Sequence, residues 1–411
     1  MTTAELSSGV RSASVNRTGV YLAILQLVFT LGWTTYVIYL PQLAAKVGIA
    51  PSAVILVLML DQVIFTITDT AMGMAADRIA SMVGRLGVFV GSLTAISCIA
   101  FVALPFVAGN GPGAQGWFIA LIVIWALTSS ALRAPPLILL GKHSAKPSIP
   151  FLSALAMFGY GLAGAVSPYL GVALRDQDAR LPFVMSSVVL LIVALTLSKV
   201  ERGLVQDAAP PATPIEPIKP LSMVPLIFIA SLVVLALGYQ LHFSLNSGPL
   251  YLRFARPNDL QWLMPVFWIG FNIVMFPAST IAKHRGGLIV MGVAGLLGAL
   301  AVLGAELAGN LSVLIAAQFV AGAAWGCMLM SAISAALAIG ETGAEGKVVG
   351  LVFSALALAT FARMAAVAGG LQKLPEYAPL LHWAPVACWS VAGAGLLVLA
   401  AARVQRSARR I

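Results

Sequence analysis

Charge is what this chain has least of. Of 411 residues, 9% are Asp, Glu, Lys or Arg, against 60% hydrophobic, and mean hydropathy is +0.98. A soluble protein of this length covers its surface with charge, so a set of soluble domains is excluded and the solvent is lipid. Acids are the scarcer sign, 14 against 24 Lys and Arg. The resulting formal +10 would suggest nucleic acid in a soluble chain; in a membrane chain it records where the loop cations sit. Cys98, Cys327 and Cys388 are odd in number and lie in apolar runs without motif spacing, which excludes a disulfide framework and a zinc site. Of four histidines, His143, His284 and His382 are scattered at the ends of apolar runs, so His242 has no second ligand nearby and no metal is expected. No H-E-x-x-H, G-x-S-x-G or P-loop occurs, so neither an intramembrane enzyme nor an ATP-driven pump is expected, and no cofactor.

What the chain does have is apolar length. A bilayer core of about 30 Å needs roughly 20 apolar residues per helix. Twelve such runs lie at about 19–43, 51–76, 86–108, 117–141, 148–174, 181–198, 222–246, 260–282, 286–308, 311–339, 348–371 and 381–402. Residues 1–18 are polar and the first run is too long for a signal-peptide core, so no cleaved leader is expected. With the N-terminus inside, 16 Lys and Arg fall in inner segments and 6 in outer loops, with Arg133 and Arg363 within spans; this asymmetry puts both termini in the cytoplasm. The longest polar insert, Lys199 to Pro220, follows the sixth run, and five prolines between Pro210 and Pro220 make it an extended tether. The expectation is an all-α membrane protein, 12 transmembrane helices in two six-helix bundles. Its parts are a tail at 1–18, bundles at 19–198 and 222–402, a cytoplasmic linker at 199–221, and a basic tail at 403–411 that meets anionic lipid.

The second run ends GMAADR and the eighth ends STIAKHR, a faint internal echo. The first of these, with Gly73, Asp77 and Arg78 followed by Gly84 and Arg85, resembles the G-x-x-x-D-R-x-G-R signature of the major facilitator superfamily, with an insertion before the second glycine. Span count, the 6+6 split and the inward termini match that family over the whole chain. The resemblance implies solute transport by two halves that rock about a central site, with Asp77 and Arg78 gating or latching at the cytoplasmic rim. Asp69 through Arg78 also resembles the second helix of melibiose-type sugar:cation symporters, although the earlier aspartate of that pattern falls at Phe65 here.

Charges at depth are expensive and need partners. Counting 1.5 Å per residue, Asp61 and Arg363 lie about 15 and 12 Å below the outer ends of their helices, Asp69 and Arg133 about 27 and 24 Å. Depth therefore pairs Asp61 with Arg363, bridging the halves, and Asp69 with Arg133, within one half. A bridging pair is made and broken as the halves rock, so Asp61 is the expected proton-coupling group; static packing is the alternative for both pairs.

Gly248 and Pro249 after a polar stretch predict a break near the end of the seventh span. Tyr239, His242 and Asn246, spaced by three and four, share a face and are the leading solute-binding candidates. Gln26, Asn272, Gln318 and Trp325 are further in-span polar groups; the resemblance favours Gln26, Gln318 and Trp325, because the first, fourth, seventh and tenth helices line the cavity in that family. The expected function is a monomeric secondary transporter, a symporter for a small polar or anionic organic solute, coupled to protons or less favourably sodium. It is placed in the bacterial inner membrane, with solute and lipid as partners and no nucleic acid. The alternatives are a drug:proton antiporter and a non-transporting receptor or scaffold.

Overall fold

A backbone in lipid must satisfy its own hydrogen bonds, so each apolar run becomes a helix. The computed structural model describes residues 3–79, 85–143, 148–206, 223–340 and 343–408, and among these there is no strand. Twelve helical spans long and apolar enough to cross a bilayer follow in order: α1 (Asn16–Lys46), α2 (Pro51–Ile79), α3 (Arg85–Ala108), α4 (Pro112–Gly141), α5 (Ile149–Ala173), α6 (Arg180–Arg202), α7 (Met223–Leu252), α8 (Pro257–Arg285), α9 (Gly287–Glu306), α10 (Leu311–Ile339), α11 (Glu345–Ala368) and α12 (Ala378–Ala402). The helix of α6 continues to Gln206. The proline-rich core of the linker lies outside the described residues.

Two of the spans are irregular in ways that bear on the site, each for a local reason. In α4 the α-helix stops at Ser129 and is replaced by 3₁₀ turns at Ser130–Leu132 and Pro135–Leu137. Pro135 and Pro136 donate no N–H and crowd the preceding turn, and Arg133 sits at the joint. The break expected at Gly248–Pro249 in α7 is not there. The helix runs on to Leu252, and the strain is taken up one turn earlier by a π-helical turn at His242–Asn246. Widening that turn lets the Pro249 ring clear the carbonyl four residues back.

The pairing of spans shows an internal repeat. In the first six, α1 packs on α5 and α6, α3 on α4 and α6, and α2 on α4; in the second six, α7 packs on α11 and α12, α9 on α10 and α12, and α8 on α10. Adding six to every number in the first set gives the second. The halves meet chiefly through α2 along α11 and α5 along α8, which the same operation exchanges.

The hydrophobic core is shared at one end and divided at the other. Toward the end carrying the termini, one cluster joins both halves, including Leu22, Leu132 and Met157 with Phe271, Met328 and Val352. Toward the opposite end the first half has its own cluster around Tyr36, Phe101, Trp125 and Phe183, and the second half a small one around Tyr251, Ala305 and Leu314. A molecule with that arrangement parts between its halves at the end away from the termini.

Candidate functional site

The seam between α2 and α11 is tight below and open above. At its lower end the buried Asp77 carboxylate accepts hydrogen bonds from the Gly346 N–H at 2.7 Å and the Lys347 N–H at 2.8 Å. These belong to the first turn of α11, whose N–H groups have no partner within their own helix and whose dipole end favours an anion. A Cβ on Gly73 would fall on the Gly346 carbonyl, so only glycine permits this approach of the two backbones. One turn higher the Thr70 and Ser354 hydroxyls share a hydrogen bond of 2.8 Å. Arg78 and Arg85 are exposed, and Gly84 lies outside the described residues. A second carboxylate does the same work unforeseen: Glu201 accepts from the Gly87 and Leu86 N–H groups at the start of α3.

Above the seam the Arg133 guanidinium meets the fully buried Asp69 carboxylate at 2.8 Å, the pairing its depth suggested. Phe65 from the first half and Phe353 from the second lie 4.8 and 5.2 Å from its central carbon, so the cation is held by an acid and by two ring faces. From this floor a cavity of about 640 Å³ extends toward the end opposite the termini, as far as Val37, Ile55, Ser244 and Met264.

Asp61 and Arg363 are not paired. Arg363 lines the cavity and donates from Nε to the Gln240 Oε1 at 3.1 Å; Gln240 in turn donates to the Thr360 hydroxyl at 2.8 Å. Asp61 points the other way, into the first half, where Oδ2 accepts from the Tyr36 hydroxyl at 2.8 Å and Oδ1 is buried without a partner. Its neighbour Gln62 lines the cavity instead. Equal depth is necessary for a pair but leaves the direction around the helix axis free, and here the two side chains diverge.

The walls are aromatic. Tyr239 and Trp325, both lining residues, stack at 4.5 Å and 4°. Phe243 lies parallel beyond Tyr239 at 5.8 Å, and Trp268 stands edge-on to Tyr160 and Phe243. Across the cavity Phe29 and Trp33 face them from α1, with Gln26 nearby, its amide 3.4 Å from the Leu132 carbonyl.

Of the other candidates, His242, Asn246, Gln318 and Asn272 do not line the cavity. His242 is fully buried and joined to Gln318 at 3.0 Å, and both meet Ser247. Asn246 donates to the Leu381 and His382 carbonyls of α12. The face of α7 that sees the cavity carries Ala236, Tyr239, Gln240, Phe243 and Ser244, so His242 falls to the side of α10 and α12. Asn272 is buried where α8 meets Gly161 of α5. Gln62 and Gln240 went unselected, although an amide inside an apolar run was the available signal. Another buried acid also stands beyond Asp61 and Asp69: Glu306, at the far end of α9, is 2.7 Å from His382 Nε2.

No curated protein matches the chain in sequence. In structure it is similar to a bacterial homologue of the iron transporter ferroportin in an outward-facing state (13% identity, TM-score 0.72, covering 93% of this chain and 98% of that one). It is likewise similar to the E. coli fucose:proton symporter FucP (13%, 0.68, 94% and 99%) and to the human organic anion transporter MFSD10, or TETRAN (15%, 0.65, 94% and 98%). At such identities the likeness establishes the fold alone. The family pattern of the Major Facilitator Superfamily matches residues 22–362, nearly the whole length that builds the two halves, the seam and the cavity. The chain is therefore an integral multi-pass membrane protein, a transporter and not an enzyme, and it belongs to the Major Facilitator Superfamily.

Proposed function

We propose that this protein is a secondary transporter that moves a small polar or anionic organic solute by alternating access, coupled to protons through Asp61. The observation that carries the reading is the cavity between the halves, closed on one side by the α2–α11 seam and continuing between divided cores on the other. Rocking that opens the lower seam and joins the upper ends passes the cavity from one side of the membrane to the other. The loop cations support cytoplasmic termini in a bacterial inner membrane, so the conformation described is outward-directed. Each half supplies its own lining and no second copy is needed, which supports a working monomer with solute and lipid as its partners.

Asp61 suits coupling because it is fully buried with one oxygen bare, one residue from the lining Gln62. A proton on that oxygen removes a charge at depth, and its loss changes what Tyr36 and the neighbouring span can tolerate. Among the described residues no Asp or Glu lines the cavity, which weighs against the alternative of exporting lipophilic cations.

The test needs no known solute. Ser244, exposed at the upper cavity, becomes the single reactive site in a Ser244→Cys variant whose three native cysteines are replaced. An impermeant maleimide added outside should label it at a rate that changes between pH 6 and 8 and collapses when α2 and α11 are cross-linked across their outer ends. A rate indifferent to that cross-link sinks alternating access. A pH response surviving in Asp61→Asn removes Asp61 as the coupling group and leaves the transporter standing.

A further inference from the structure

The charges in the cavity do not cancel. Among the described residues two cations line it, Arg133 and Arg363, and no acid does. Arg133 has Asp69 at 2.8 Å behind it, so that pair is neutral as seen from the cavity. Asp61 is turned away and bonded to Tyr36. Glu306 is occupied with His382 outside the lining. That leaves one unmatched positive charge, Arg363, in a span where a lone cation is costly.

Its side chain is held ready. Nε is used on Gln240, whose own amide is fixed by Thr360, so the guanidinium is held through Nε and, among the described residues, its two terminal nitrogens have no hydrogen-bond partner, leaving a pair of donors of the kind that grips a carboxylate. Tyr239 lies within electrostatic reach of the same guanidinium, which sets the charge beside the Tyr239–Trp325 wall. Phe29, Trp33, Tyr160 and Phe243 are only half-buried and offer ring surface to whatever enters.

Resting on the transporter reading above, we propose that the solute is an organic monoanion with a flat apolar body, its carboxylate on Arg363 and its ring between the aromatic walls. One uncompensated guanidinium matches one negative charge; a dianion would bring a second without a partner, and an organic cation would meet repulsion. A free sugar lacks the charge that Arg363 calls for and finds the Gln240 amide already engaged. Among the described residues no group of three or more His, Cys, Asp or Glu gathers to hold a metal ion.

The experiment uses the full-length protein purified in detergent and follows its melting temperature with benzoate, cinnamate and salicylate as probes. Benzamide is the neutral isostere, benzylamine the cation, terephthalate the dianion, and acetate and D-xylose lack the aromatic ring. A ligand that binds only the folded state raises that temperature in a concentration-dependent way. At least one aromatic monoanion should protect at millimolar concentration, with benzamide, terephthalate and acetate weaker by about tenfold or more. Arg363→Gln should lose that preference for the anion over the amide while still folding, and Arg363→Lys should keep part of it. The proposal is overturned if none of the three monoanions protects, if D-xylose or benzylamine protects instead, or if Arg363→Gln binds the anions as well as the parent does. Ser244→Cys labelling separates the two readings. Labelling that responds to the cross-link without anion protection refutes only the solute class, whereas protection that needs Arg363 in a protein whose labelling never responds refutes only the transport cycle.

Discussion

Two arginines at depth, Arg133 and Arg363, are held by opposite means. Arg133 belongs to the closed region, with a carboxylate against it and a phenylalanine from each half over it. Arg363 belongs to the open region and has only a glutamine. Where the protein needs a cation to be structural it spends one of its 14 acids on it; where it leaves the acid out, the charge is available to something that comes and goes. The same division runs along the α2–α11 seam, which below is built from groups that satisfy one another and above from groups that line space.

The comparison breaks most readily at Arg133. Arg133→Ala strands a buried carboxylate and should cost about 3–5 kcal/mol, seen as a large fall in melting temperature in detergent; removing Asp69 as well should restore most of it. If Arg133→Ala melts like the parent, the two arginines are not different in kind. Next is Gly73→Leu, whose side chain has to enter the Gly346 backbone. Overpacking there should cost about 1–3 kcal/mol and push the seam apart, lowering outside labelling of Ser244→Cys. Unchanged labelling would mean that the lower contact does not hold the state. Asp77→Ala takes the cap from α11 without adding bulk, for about 0.5–2 kcal/mol and a smaller shift in the same labelling assay. The least effect belongs to Arg363→Met, which should leave stability within about 1 kcal/mol of the parent or raise it, because no acid is left behind. A loss as large as that at Arg133 would show that Arg363 is a packing residue.

Much of the fold was legible because lipid imposes a length on every helix. The run 311–339 coincides with α10, and each of the other runs falls on one span, the widest miss being the end of α7, which runs on to Leu252. Pairing by depth also worked for Asp69 and Arg133. It failed for Asp61 and Arg363 because rise along a helix specifies height and says nothing of azimuth, and one residue of rotation separates the inward Asp61 from the lining Gln62. On α7 the spacing of Tyr239, His242 and Asn246 implied one shared face, but only Tyr239 lines the cavity, because the π turn at His242–Asn246 breaks the period and a span facing both a cavity and two neighbouring helices has polar groups on more than one side. His242 and Gln318 satisfy each other between α7 and α10, a use of polarity that resembles a binding face when read along a single helix. Glu306 was hidden for another reason, since a residue close to the end of an apolar run looks like its polar border until the neighbouring span brings His382 over it.

The solitary charge of Arg363 also ties this protein to the membrane potential. In the proposed cycle the potential drops across whichever side of the cavity is shut, so closing one side and opening the other would carry Arg363 from one end of the voltage to the other while the side chain stays where it is. An elementary charge crossing 100 mV corresponds to about 2.3 kcal/mol. In that cycle a bound monoanion offsets the charge and a proton on Asp61 restores it, so the protonation of Asp61 and the occupancy of Arg363 together decide on which step the voltage acts.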